Sequence, residues 1–199
     1  MRKLLACVAL LAAALGATSA FAQSGNQFFD PNTKKWITYG PTARYGGKSP
    51  IKREVVKYAG AYSPGTIIIE TDERRLYYVM PGGKAMKYGI GVGREGFQWA
   101  GTQRISRKAE WPGWTPPPQM RVREARKGRK LPAYMPGGPN NPLGARALYL
   151  GSSYYRIHGS NEPWTIGTAV SSGCIRMANE DVIHLYNLVD VGTRVVVRR

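Results

Sequence analysis

Downstream of residue 63 the chain is built from short apolar runs separated by turn residues. TIIIET (66–71), RLYYVM (75–80) and KAMKYGIGVG (84–93) follow one another, with Asp72-Glu73 and then Pro81-Gly82-Gly83 between them. Runs of this length, rich in Ile, Val and Tyr and punctuated by Gly and Pro, predict a hairpin or meander of β-strands. RALYLG (146–151) and YYRIHG (154–159) predict two more strands around Ser152-Ser153, and TRVVVR (193–198) predicts a closing strand. The period changes once. In ANEDVIHLYNLVD (178–190), Val182, Leu185, Tyr186 and Val189 recur at helical spacing. Asn179 stands where an N-cap belongs, Glu180 and Asp181 occupy the positive end, and Gly192 stops the helix. Residues 94–145 are rich in Gly, Pro, Trp and Arg and show no sustained period. So long a gap inside a compact domain is usually functional. The sum is a mostly-β domain, a sandwich or meander, with one late helix.

The first 62 residues read differently. Arg2 and Lys3, an apolar run over 4–17 and the small-x-small site Ala20-Phe21-Ala22 form the pattern of a secretory signal peptide over 1–22. The apolar run is shorter than the roughly 20 residues a membrane span needs, and no other segment of the sequence has the composition of one. Residues 23–62 lack an apolar period and read as a linker or loosely attached arm, leaving 63–199 as the domain. Export places the chain in the periplasm, beyond the inner membrane.

Export changes the meaning of the cysteines. Cleavage after Ala22 removes Cys7 and leaves Cys174 alone. A lone thiol in an oxidising compartment is either a small buried apolar residue or a reactive group. The formal charge of +17 implies an anionic partner. Export argues against nucleic acid and in favour of an anionic wall polymer or membrane surface. Six Lys/Arg against one Glu in RVREARKGRK (121–130) form the densest basic cluster, which reads as a solvated loop.

A thiol attacks a carbonyl as thiolate and needs a base or a cation beside it. His184 falls on the polar side of the helix, opposite Val182, and reads as a solvated residue. His158 ends the strand YYRIH, so it is the imidazole left to meet Cys174. Glycines border both, at His158-Gly159 and Gly173-Cys174, and backbone N–H groups of Gly173 and Cys174 are candidates for an oxyanion hole. No metal-ligand spacing and no phosphate-cradling glycine loop is present in the sequence, so no cofactor is expected. The order His then Cys differs from papain-like and NlpC/P60-like hydrolases, and the gap is shorter than in sortases.

HGSNEPWTIGTAVSSGCIRM (158–177) resembles the signature of the L,D-transpeptidase (YkuD-type) family, a histidine and a glycine-containing loop before Ser/Thr-x-Gly-Cys-Ile-Arg-Met. The resemblance extends over about 63–199, including NPLGARALYL (141–150) and GTRVVV (192–197), and leaves 23–62 uncovered. It implies an L,D-transpeptidase-like fold in which Cys174 is the nucleophile, His158 the general base and the Gly159 carbonyl the group that orients the imidazole. Arg176 matches a position suited to a substrate carboxylate, or else holds a structural salt bridge. Ser171 matches the family's Ser/Thr, and Ser172 stands where many members carry a second histidine. Trp111, Trp114, Tyr134 and Trp164 are candidates for lining a substrate channel, with core or loop packing the alternative for each. The implied partners are peptidoglycan stem peptides. The resemblance implies a 3–3 cross-link in cell wall biogenesis and a carbapenem adduct on Cys174. The same acyl-enzyme would also serve to attach an outer-membrane protein, or to trim stems as an L,D-carboxypeptidase. A wall-binding module with a dead site is the reading from another class, and retention of both His158 and Cys174 counts against it.

Overall fold

The computed structural model describes residues 27–30, 35–38, 48–95 and 97–199. The expected export signal over 1–22 lies outside the described residues, as do 23–26, 31–34 and 39–47 of the expected arm. Strands β1 (Gln27–Asp30) and β2 (Lys35–Thr38) pair antiparallel with each other. The other strands are β3 (Glu54–Lys57), β4 (Ile67–Glu70), β5 (Arg75–Met80), β6 (Lys84–Gly89), β7 (Val92–Gly93), β8 (Gly101–Glu110), β9 (Arg146–Leu150), β10 (Arg156–His158), β11 (Ala169–Ser171), β12 (Ile175–Arg176) and β13 (Arg194–Arg198). Among the described residues, nine of them form one sheet in the order β12-β10-β9-β8-β13-β4-β5-β6-β3, and β7 pairs with β11 apart from it.

The expected meander is β4–β5–β6. Ile67, Ile68 and Ile69 are all buried, as are Val195, Val196 and Val197 of β13, which lies parallel beside β4. Unbroken apolar runs of this kind belong to strands covered on both faces. Pro81-Gly82-Gly83 turns β5 into β6, with Gly82 and Gly83 both at positive φ (73° and 65°), a geometry glycine adopts without penalty.

The sheet curls so that the chain just past β6 reaches its β12 edge. Beyond β6, Gly91 exchanges both backbone hydrogen bonds with Arg176 of β12 (2.9 and 2.8 Å). The stretch 48–57, assigned to the arm by composition, is part of the domain: β3 pairs with β6, and Ile51 is buried with Ile166 and Ala178. Ser49 N–H donates to Glu180 Oε1 (3.0 Å), and Arg53 pairs with buried Asp181 (2.9 Å). Short-range composition did not reveal this docking because β3 pairs with a strand that is not its chain neighbour, and Ser49, Ile51 and Arg53 meet residues more than a hundred positions downstream.

Helix α2 (Asn179–Leu188) is the expected late helix, with Val182 and Leu185 buried against the sheet. Ala178, not Asn179, holds the cap position and makes no side-chain cap hydrogen bond. Asn179 Oδ1 instead accepts from the N–H of Ala145 (2.9 Å), tying the helix to the approach of β9. His184 is half-buried rather than solvated, its Nδ1 bonded to the Tyr88 hydroxyl at 2.7 Å. Two regular elements lie inside the stretch that showed no period. One is the ten-residue strand β8. The other is helix α1 (Pro118–Ala125), which opens on proline and carries the first part of the basic cluster.

Leu185 is wholly buried at the junction of α2 and the sheet. Leu185→Ala is expected to cost about 2–5 kcal/mol, read as a lower denaturation midpoint with an unchanged slope in urea.

Candidate active site

His158 and Cys174 are brought together by one parallel strand pair. Ile157 lies opposite Ile175 and His158 opposite Arg176, so Cys174 enters β12 beside the end of β10. The two side chains line one cavity of about 530 Å³, with Arg156, Arg176, Tyr154 and Tyr155 on the sheet side and Met120, Arg123 and Glu124 of α1 across it. Glu124 is ion-paired with Arg129, which also faces the cavity.

His158 is buried, and its Nδ1 lies 2.6 Å from the carbonyl oxygen of Gly159. A carbonyl accepts only, so Nδ1 carries the proton and donates it, and Nε2 is left as the acceptor of a neutral ring. Burial, with the nearby charge of Arg176 acting in the same direction, pushes the imidazole down to about 3. The ring is therefore uncharged at neutral pH. Burial also pushes the Cys174 thiol up, and the charge and backbone of Arg156 pull it back. The sulfur lies 3.7 Å from the carbonyl of Tyr154, to which a protonated thiol can donate. The resting pair is a neutral thiol and a neutral base.

The Cys174 loop is tightly held. Ser171 Oγ donates to the Cys174 carbonyl (2.6 Å) and accepts from the N–H of Gly173 (3.1 Å). Trp99 Nε1 donates to the Gly173 carbonyl (3.0 Å), while its ring stacks on Tyr155 at 4.6 Å. Gly173 sits at φ 106°, and a Cβ there would lie 2.5 Å from the Tyr155 ring. Glycine is required at this position on both counts.

Several expected residues stand in unexpected roles. The Gly173 N–H already serves Ser171, so of the two proposed oxyanion donors Cys174 N–H is the one without a hydrogen bond among the described residues. Ser171 reaches the cavity wall, but its hydroxyl shapes the loop. Ser172 Oγ accepts from Arg123 Nη2 of α1 (3.2 Å). Arg176 is in the cavity and paired with Glu162 (2.9 Å). Of the four aromatic candidates Trp114 lines the cavity. Trp111 and Tyr134 are exposed, and Trp164 lies in a short 3₁₀ turn (Pro163–Thr165) away from it. Arg156, Tyr154 and Trp99 escaped the sequence reading. Arg156 was detectable: two positions before His158 on a strand, it shares that residue's face. Among the described residues no cluster of His, Cys, Asp or Glu is arranged to hold a metal ion.

The chain that carries this thiol and imidazole has relatives among known proteins. The model of the YkuD L,D-transpeptidase catalytic domain matches residues 64–197. The chain belongs to that family. A probable L,D-transpeptidase ErfK/SrfK of Escherichia coli K12 is 43% identical over 134 residues, covering 65% of this chain and 42% of that protein. The chain therefore matches about two fifths of the length of that relative. L,D-transpeptidase 3 of Mycobacterium tuberculosis shares the fold at a TM-score of 0.51 and 16% identity, over 67% of this chain and 60% of that one. A Brucella melitensis protein described as a probable carnitine operon oxidoreductase is 46% identical at a TM-score of 0.50, over 78% of this chain and 98% of that one.

A neutral resting pair has a kinetic signature. The rate of Cys174 alkylation by iodoacetamide, followed on the Cys174 peptide by mass spectrometry, is expected to rise about tenfold per pH unit from 6 to 8. A thiolate–imidazolium pair would instead give a plateau across that range.

Proposed function

We propose that the protein is a periplasmic, cysteine-dependent L,D-transpeptidase that acts on peptidoglycan stem tetrapeptides and forms 3–3 cross-links. The observation that carries this reading is the Nδ1–H bond of His158 to the Gly159 carbonyl, which leaves Nε2 as a base toward the cavity that holds the thiol. The thiol proton passes to Nε2 as sulfur bonds to the carbonyl carbon at the L-centre of the third stem residue. Negative charge gathers on the carbonyl oxygen, where the N–H of Cys174 is the available donor. Collapse breaks the peptide bond, and the imidazolium protonates the departing amine of D-alanine. The amine of a second stem then attacks the thioester, loses its proton to His158 and releases the thiol. The neutral tautomer suits this cycle, because its Nε2 carries no proton at rest and is open to take one. An amine of an outer-membrane protein, or water, would resolve the same thioester to a different product.

The first half of the cycle is directly observable. Incubating the protein with a purified tetrapeptide stem is expected to add the stem mass less one alanine to Cys174 in intact-mass spectra. Cys174→Ala should show no adduct, and His158→Ala should slow its formation about 10²- to 10⁴-fold. An adduct of equal rate in His158→Ala would remove the histidine from the mechanism.

A further inference from the structure

Two arginines line the cavity beside the thiol and the imidazole, and their circumstances differ. Arg176 is already matched: its Nη1 meets Glu162 Oε2 at 2.9 Å and Thr165 Oγ1 at 3.4 Å. Arg156 is not. Among the described residues no carboxylate lies within ion-pair distance of it, and its Nε is buried without a hydrogen-bond partner. Its guanidinium stands 5.4 Å from the centre of the Tyr149 ring. A buried Nε–H that no protein group satisfies is a donor left open to an anion.

Position narrows which anion. Arg156 and His158 occupy alternate positions of β10 and so face the same side, onto the cavity that Cys174 also lines. The β10–β12 register sets Arg156 level with Cys174, so an anion held by Arg156 sits close to the carbon that the sulfur attacks. In a stem tetrapeptide the carboxylate nearest the scissile carbonyl is the terminal one, on the residue that leaves. We infer that Arg156 determines donor specificity by binding the terminal carboxylate of the acyl-donor stem. The inference rests on the transpeptidase reading above. It assigns the carboxylate role to a residue other than Arg176, whose ion pair with Glu162 serves to fix the loop ahead of β11. A donor extended by one residue, or capped as an amide, presents a neutral group to the guanidinium and leaves the buried donor unpaired.

The test measures single-turnover acylation of Cys174 in the full-length protein, by intact-mass spectrometry, with two donors: a stem tetrapeptide with a free terminal carboxylate and the same peptide as its terminal carboxamide. The wild-type protein is expected to favour the acid about 10- to 100-fold, the usual weight of a charge-assisted pair. Arg156→Gln should bring the two donors within about threefold, chiefly by slowing the acid, while Arg176→Gln keeps the wild-type ratio. Arg156→Met, which preserves the apolar stem against Tyr149, provides the same comparison should the glutamine variant not fold. A preference retained in the folded Arg156 variant, or lost in Arg176→Gln instead, overturns the assignment. Equal use of both donors by the wild type overturns it while leaving the transpeptidase reading intact. Failure of both donors to acylate the wild type removes the transpeptidase reading and this assignment with it.

Discussion

The site depends on the parallel pairing of two very short strands. β10 and β12 share two register pairs, Ile157 with Ile175 and His158 with Arg176. Parallel neighbours cannot be joined by a tight turn and need a crossover. Here the crossover runs from Gly159 to Cys174 and contains the 3₁₀ turn and β11. Two buried isoleucines hold the register from the apolar face. A slip of one residue would turn His158 away from the cavity and its neighbour into it. The surrounding bonds oppose such a slip: Met177 N–H to the His158 carbonyl, Gly159 N–H to the Arg146 carbonyl, and Ala145 N–H to Asn179 Oδ1.

The electrostatics follow from burial more than from any single charge. Enclosure disfavours the charged form of both reacting groups, so the thiol goes up and the imidazole goes down. The cations of the cavity oppose this for the sulfur and reinforce it for the ring. This arrangement differs from triads in which a carboxylate holds the imidazole and favours its protonation. A backbone carbonyl fixes the tautomer without adding a full negative charge, consistent with a base that starts and ends each half-reaction uncharged.

Much of this was legible in the sequence. The Ile and Val runs marked the strands covered on both faces, the 3.6 period marked α2, and the flanking glycines drew attention to His158 and Cys174. What stayed hidden has physical causes. β8 is a ten-residue strand with only Ile105 fully buried. Backbone bonds to β9 and β13 hold it, and its side chains leave no alternating pattern. α1 buries none of its residues, so its apolar positions carry no stripe. The contacts of Ser49, Ile51 and Arg53 with residues 166–181 join positions more than a hundred residues apart. Spacing put Arg156 on the face of His158, but that no carboxylate pairs with it among the described residues is a fact of the folded chain.

The curl of the sheet bears on how a substrate chain can be gripped. An edge strand with a free ladder would let a peptide dock by adding itself as one more strand. Arg176 offers no such handhold, since its N–H and C=O both face Gly91 on the side away from β10. A peptide reaching the sulfur finds no free ladder on this strand and meets side chains and loop amides, which can tell one terminus chemistry from another in a way that a generic backbone zipper cannot.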